Sequence, residues 1–384
     1  MITMASTIVW TACFLIGYVY VGYPLMLWCL SRFSWRAVAA SPIIPPVTLL
    51  ISAYNEQEDI GRKLKNSLAL DYPKDKLQII VISDASTDET DQIVRAFQDQ
   101  GVVLLRMPTR GGKTTGLNAA VKKANGEVVV FSDANILYQT DVLHRLVTSF
   151  ADPTVGCVTG DSRYLEDNQS PADVQENTYW GYERMIRSWE SLIGSTVGGD
   201  GAIFAIRTHL YTPLAPEAIN DLVVPLQIVA KGYRAIYEPL AVGHEPAAGD
   251  FRKEFRRKRR IVNRSWRGIM SVGEVLKPWR VGLFAWQVWS HKVLRWLVLP
   301  FIVLAVLGCI AAVSEGWVYR AGLSVFVLSL GLAGAGAMVP NRRGLGARAA
   351  QAMFYFYLVN LAALLGILRA LRGNVEMVWA PERS

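Results

Sequence analysis

The sequence predicts an α/β domain with a parallel sheet, joined at both ends to apolar helices of membrane-spanning length. Three observations carry this. Runs of Val, Ile and Leu ending in polar clusters recur between residues 47 and 135, they alternate with amphipathic stretches, and uncharged apolar runs lie on either side of that region.

At the N-terminus, "IVWTACFLIGYVYVGYPLMLWCL" (8–30) carries no charge and exceeds the roughly 20 residues that cross a bilayer. No basic stretch precedes it and no small-residue cleavage site follows, which predicts an uncleaved anchor over residues 1–36. The Pro-rich linker "SPIIPP" then leads to "VTLLISAYNEQED", whose apolar run is a strand buried on both faces, as a parallel sheet covered by helices requires. "IGRKLKNSLAL" reads as a helix, "LQIIVISDASTDET" as a second strand with a polar end, "DQIVRAFQDQG" as a helix and "VVLLRM" as a third strand. A helix over 114–124, with Leu117, Ala120, Val121 and Ala124 inward, and the strand "EVVVFSDAN" complete the alternation. Further on, "STVGGDGAIFAIR" (195–207) joins a glycine-rich turn to an apolar strand, and "EAINDLVVPLQIVAKGYRAIYEP" predicts a helix.

Three more spans are expected at 296–313, 321–339 and 352–368. The organisation is then an anchor (1–36), a domain (45–250), a basic interfacial segment (251–292) and C-terminal membrane helices (293–384). Arg32 and Arg36 after the first span, and Arg342, Arg343 and Arg348 between the last two, put the domain on the cytoplasmic side of the inner (plasma) membrane. Arg369 and Arg372 favour that side for the tail as well, whereas four simple spans put the tail outside.

The chain is 52% hydrophobic with a formal charge of +8. The segment "FRKEFRRKRRIVNRSWR" (251–267), with nine basic residues and one acid, accounts for the whole imbalance. Beside the membrane region it reads as a surface for anionic headgroups of the lipid bilayer. A nucleic-acid surface is the alternative for such a run, and the membrane position argues against it. Cys13, Cys29, Cys157 and Cys309 form no CxxC pair, and the four histidines have no metal-ligand spacing, so neither a zinc site nor a disulfide framework is expected.

"TRGGKTTGLN" (109–118) looks like a phosphate loop, but that motif needs a glycine where Met107 stands, and Pro108 removes an N–H from the cradle. Lys113 is then either a solvated charge or a phosphate partner of another kind. In open α/β sheets ligands bind beyond the carboxyl ends of the strands. Those ends here carry Tyr54, Asn55 and Glu56, then Asp84, Ser86 and Asp88, then Ser132, Asp133 and Asn135. A single acid at such a place usually caps a helix or forms a turn, and Asp88 in "STDET" reads that way. The recurrence of three sets at one edge points to a ligand.

In order, "VTLLISAYNEQEDI", "IIVISDASTDET", "GGKTTGLNAA" and "VVVFSDAN" resemble the motifs of the family 2 glycosyltransferases, and the flanking spans resemble their membrane-embedded branch of hyaluronan, chitin, cellulose and poly-N-acetylglucosamine synthases. The resemblance implies a GT-A-like, Rossmann-like domain using a UDP-sugar donor and Mg²⁺ or Mn²⁺. Asp84 would then bond the uracil, Ala53, Tyr54, Asn55 and Glu56 would line the nucleotide pocket, and Lys113 would face the diphosphate. Asp133 would ligate the cation, with Asn135 beside it where the family often has a second Asp, and His244 in "VGHEP" as a further metal candidate. Gly199, Asp200 and Gly201 would border the acceptor, though a strained turn explains them equally.

Asp221, in Asn220-Asp221 where the family has two acids, would be the general base of an inverting transfer that yields a β-linkage; capping its helix is the other reading. The family's Gln-x-x-Arg-Trp is reduced to Arg264 and Trp266 in "RRIVNRSWRG", with Trp266 either stacking on the acceptor or sitting at the membrane interface. The expected product is a β-linked membrane polysaccharide. The alternatives are non-processive transfer to a polyprenyl- or other lipid-linked acceptor, and a non-catalytic scaffold that keeps the fold.

Overall fold

The computed structural model describes residues 3–33, 36–164, 171–245, 251–338 and 344–375. After a long helix α1 (Met4–Phe33), the strands β1 (Val47–Ala53), β2 (Leu77–Ser83), β3 (Val102–Arg106) and β4 (Val128–Asp133) alternate with α2 (Ile60–Leu68), α3 (Thr90–Arg95) and α4 (Lys113–Val121). Each follows the expected run. The helix α3 is shorter than "DQIVRAFQDQG" suggests, because the chain tightens into a 3₁₀ turn at Gln98–Gln100 and closes on Gly101 at φ 87°.

The sheet has eight strands in the order β3-β2-β1-β4-β7-β6-β8-β5, where β5 is Leu137–Tyr138, β6 Val155–Tyr164, β7 Ile203–Arg207 and β8 Arg234–Glu245. The first four strands are parallel, and β7 joins β4 antiparallel. Strand order reverses between β1 and β4, where Ser52 pairs with Asp133. This is the switch point at which a crevice opens in such sheets.

Strand alternation sorts the core into two layers. Leu49, Ile51, Val81 and Val130 pack with Ile60 and Leu64 of α2 and with Leu146 of α5 (Val142–Thr148). Leu50, Ile80, Ile82 and Phe131 pack with Leu117 of α4 and, past α6 (Pro171–Ile193), with Leu226 of α7 (Asn220–Ala230).

The basic segment is one helix, α8 (Phe251–Ser271). Then follow α9 (Leu283–Trp296), α10 (Val298–Ala311), α11 (Trp317–Met338) and α12 (Leu345–Leu371). Among the described residues α1, α11 and α12 are long and apolar enough to cross a membrane. The span expected at 296–313 differs: α9 and α10 meet at a 61° bend. Pro300 in the first turn of α10 supplies no N–H, and its ring would clash with the carbonyl of Trp296 in a continuous helix.

The tail is tied to the domain, since Asn263 Nδ2 in α8 donates to the carbonyls of Gly366 (3.2 Å) and Asn374 (3.1 Å). Gly366 is required there, because a Cβ would sit 2.8 Å from the Arg259 carbonyl.

Candidate active site

A cavity of about 250 Å³ opens at the switch point. On its β1 wall it has Ser52, Ala53 and Tyr54, and beyond β2 it has Asp84. Asp84 is buried and bidentate: Oδ1 accepts from Gly111 N (2.8 Å) and Oδ2 from Gly112 N (2.9 Å). The carboxylate so holds the Gly-Gly turn, with Gly112 at φ 84°, against the sheet edge and starts α4 at Lys113. The Lys113 ammonium crosses the cavity to Asp133 Oδ1 (2.5 Å) and the Gly201 carbonyl (3.0 Å). It is not a solvated charge. Arg110 lies over the Tyr54 ring, 3.8 Å from its centroid, which fixes the cavity mouth.

The glycine-rich turn makes the opposite wall. Asp200 accepts from Ser162 Oγ (2.7 Å) and Ala202 N (3.1 Å), and Gly199 N donates to the Asp221 carbonyl (2.6 Å). The last bond clamps the start of α7 beside the turn. Gly201 is a close approach: a Cβ would lie 2.9 Å from Asp221 Oδ2.

Asp221 does not cap α7 with its side chain; Ile219 holds the cap position and Asp221 sits in the first turn. Its carboxylate lines the cavity, and Oδ1 has no hydrogen-bond partner among the described residues. Burial pushes its carboxyl above the ordinary Asp value, with Asp200 and Asp133 adding to the rise, while Lys113 and Arg264 oppose it. Arg264, from α8, also lines the cavity and donates to the carbonyls of Glu217 (2.8 Å) and Ala218 (2.6 Å).

Six sequence candidates lie elsewhere. Asn55, at φ 52°, braces the turn after β2, with its Oδ1 accepting from Thr87 N (2.8 Å). Glu56 is buried beneath it, with its N–H on Thr90 Oγ1 (2.8 Å). Asp88 accepts from Thr90 N (3.0 Å) and Gln57 N (3.1 Å), as a turn former does, while Glu89 and not Asp88 holds the cap position of α3. Asn135 is not part of the cavity wall, and His244 pairs with Leu137 in the sheet while its neighbour Glu245 lines the cavity. Trp266 packs on Trp296, ring centroids 6.5 Å apart, with Val262, Ala363 and Ile367 around it. It belongs to the membrane-side cluster, not to the cleft.

Trp180 drew no reading from the sequence, and Arg257 and Arg260 drew a different one. Trp180 of α6 lines the wall between Arg187 and Lys258, whose charges lie 5.3 and 5.8 Å from its ring. Arg257, Arg260 and Arg264 recur at i, i+3 and i+7 on one face of α8, so part of the run read as a lipid-headgroup surface points into the cleft.

Among the described residues no three His, Cys, Asp or Glu converge on one point. One carboxylate at a phosphate site is nonetheless compatible with Mg²⁺ or Mn²⁺, hard cations held by one or two carboxylates plus substrate phosphates. Asp133 fits that role.

Residues 48–209 match the model of the glycosyl transferase family 2. The chain carries a family 2 glycosyltransferase domain. It is 30% identical over 205 residues to the poly-beta-1,6-N-acetyl-D-glucosamine synthase of Staphylococcus aureus (strain COL), covering 51% of this chain and 48% of that one. It is 28% identical over 219 residues to a probable glycosyltransferase of Bacillus subtilis (strain 168), covering 53% and 51%. The chain thus spans about half the length of the curated relatives it matches.

Among solved structures it is similar to the mannosyltransferase PcManGT from Pyrobaculum calidifontis, in complex with GDP-Man and Mn²⁺. That likeness has a TM-score of 0.67 at 26% identity and covers 94% of this chain and 98% of that one, apolar helices included. The fold is GT-A-like with appended apolar helices.

Gly201→Ala forces its new methyl against Asp221 Oδ2. A displacement near 1 Å at a reacting group costs about 10²-fold. Initial transfer rates should fall by that order with the melting temperature nearly unchanged, and an unimpaired rate would refute the close approach.

Proposed function

We propose that the chain transfers a sugar from a nucleoside diphosphate sugar to an acceptor hydroxyl at the membrane, with inversion at the anomeric carbon. The observation that carries this is one cavity shared by Asp84, Lys113, Asp133 and Asp221, in which Asp221 has a buried carboxylate oxygen with no hydrogen-bond partner among the described residues. Lys113 stands at the N-terminus of α4, where the helix dipole favours an anion. With Arg257, Arg260 and Arg264 it gives the cleft the positive field a diphosphate needs.

Asp133, with the diphosphate oxygens, would hold the divalent cation, whose chemistry when bound is to stabilise charge on the leaving diphosphate. Asp221 takes the proton of the acceptor hydroxyl as that oxygen attacks the anomeric carbon and the bond to the diphosphate breaks. An α-linked donor then gives a β-linked product.

Two donors fit. The likeness to the S. aureus polymer synthase, with the resemblance in sequence, supports a UDP-sugar and a β-linked polysaccharide. GDP-mannose is supported by the likeness to PcManGT, whose structure holds GDP-Man and which matches 94% of the chain rather than half of it. The carboxylate of Asp84 does not separate them, since uracil N3–H and guanine N1–H are both donors to it. The reading with a lipid-linked acceptor keeps the same cleft and chemistry. The domain faces the cytoplasm, where nucleotide sugars are supplied.

The test uses the full chain in lipid with a panel of UDP-sugars and GDP-mannose, each with Mg²⁺ or Mn²⁺, and product mass and anomeric configuration as readouts. Metal-dependent β-transfer from one donor is expected. No transfer from any of them, or an α-linked product, would overturn the proposal.

A further inference from the structure

A second polar cavity of about 300 Å³ lies on the other side of α8 from the catalytic cleft. Positions 257, 260, 261 and 264 of α8 face the cleft, whereas Lys258 and Val262 face this cavity. Its remaining walls come from α1 (Tyr20), α6 (Tyr182, Glu183), α9 (His291, Lys292, Arg295) and α12 (Phe356, Val359). It therefore sits where the apolar helices meet the catalytic domain.

Three cations line it, Lys258, Lys292 and Arg295, each with a side chain less than 20% exposed. Lys258 is paired with Glu254 of its own helix at 3.4 Å, and Glu183 faces the other two. Glu183 is already engaged on both oxygens, Oε1 by Arg295 and Oε2 by His291 Nε2 (3.0 Å). His291 Nδ1 meets Glu190 Oε1 at 2.8 Å, so the ring lies between the two buried carboxylates. The Lys292 ammonium is 3.9 Å from Glu183 Oε2, beyond the 2.7–2.9 Å typical of a charge-assisted hydrogen bond. Its other neighbour is His291 Nε2 at 3.4 Å; an ammonium has three N–H donors, and this one lines a cavity whose wall includes the apolar Phe356, Val359 and Ala363.

We propose that this cavity binds the phosphate monoester headgroup of one membrane lipid, with Lys292 as its principal donor and the chain of the lipid lying along α12. Charge complementarity selects the headgroup, and the apolar face of α12 selects a lipid over a free anion. The site is distinct from the donor cleft, and its wall residue Lys258 touches the cleft through Trp180. A lipid phosphate so held fixes the catalytic domain at the bilayer surface next to the mouth through which an acceptor arrives.

The test is binding, without nucleotide sugar, so that its failure is separate from failure of the transferase reading. The full chain in detergent is titrated with dioctanoyl phosphatidic acid, dioctanoyl phosphatidylcholine, farnesyl phosphate and inorganic phosphate, with bound lipid counted by native mass spectrometry. One phosphatidic acid or farnesyl phosphate per chain is expected, the tighter of the two identifying the source. Phosphatidylcholine and inorganic phosphate should bind at least about tenfold more weakly, the worth of one charge-assisted contact. Lys292→Gln should weaken the phosphate monoester by about tenfold, and Lys292→Arg should restore most of it, with melting temperatures alike. Equal retention of phosphatidylcholine, or unchanged binding in Lys292→Gln, would overturn the site.

Discussion

Asp221→Asn is expected to lower sugar transfer by about 10²–10⁴-fold, the usual contribution of a general base, and to leave donor binding close to wild type. The substitution keeps the shape of the side chain and removes only its ability to take a proton. The backbone clamp survives, because Gly199 N donates to the main-chain carbonyl of residue 221 and not to its side chain. Lys113 keeps Asp133 and the Gly201 carbonyl as partners, so the diphosphate side of the cleft is unchanged.

The pH profile gives an independent readout. A base must be unprotonated to act, so the rate should fall on acidification. Since burial raises the Asp221 carboxyl, the midpoint of that fall should lie above the roughly 3.9 of an ordinary Asp. Lys113 is the largest influence holding the value down, so Lys113→Met should move the acid limb to higher pH besides weakening donor binding. Transfer in Asp221→Asn within tenfold of wild type, or an acid limb unmoved in Lys113→Met, would take the base role away from Asp221.

Much of this site was legible because local chemistry and tertiary role coincide. A strand apolar on both faces must end at an edge, and polar residues clustered there, such as Asp84 and Asp133, have a cleft to face. Gly111-Gly112 announced a turn, and Gly201 proved to be a position where a side chain does not fit. What stayed hidden depends on helix rotation and on contacts distant in sequence. The run 251–267 has too many cations for any face of a helix to stand out, so only the fold separates Arg257, Arg260 and Arg264 in the cleft from Lys258 behind it. Trp266 was misleading for the same reason: two residues from Arg264, it points about 200° around α8, to Trp296. Trp180 belongs to α6, whose apolar period of Tyr182, Ile186, Trp189 and Ile193 packs on α1, and nothing in that period marks Trp180 as a cleft residue. The bend before α10 was foreshadowed only by Pro300 within an otherwise unbroken apolar run.

The largest loss of stability is expected from Glu190→Ala. Glu190 of α6 is fully buried and joins three parts of the molecule: Tyr23 OH of α1 donates to its Oε1 (2.5 Å), His291 of α9 lies on the same oxygen (2.8 Å), and Val197 N donates to Oε2 (3.0 Å). Burial alone would raise its carboxyl, yet the charge of His291 and the hydrogen bonds from His291, Tyr23 and Val197 hold it below the ordinary Glu value. Removing the carboxylate strands a buried hydroxyl, an amide and a buried imidazole nitrogen, a loss on the order of 3–5 kcal/mol. Glu190→Gln separates charge from shape: it fills the same volume but turns an NH₂ toward donors, so most of the loss should persist.

The sign with pH follows from the lowered value. The stabilisation is complete above the ordinary Glu pKa near 4.3 and is lost as pH falls through the depressed folded value. Thermal unfolding in detergent should therefore show a wide gap between wild type and Glu190→Ala at neutral pH that narrows in acid. A neutral-pH difference below about 1 kcal/mol, the size of an exposed ion pair, would mean that the domain and its first apolar helix are held together elsewhere.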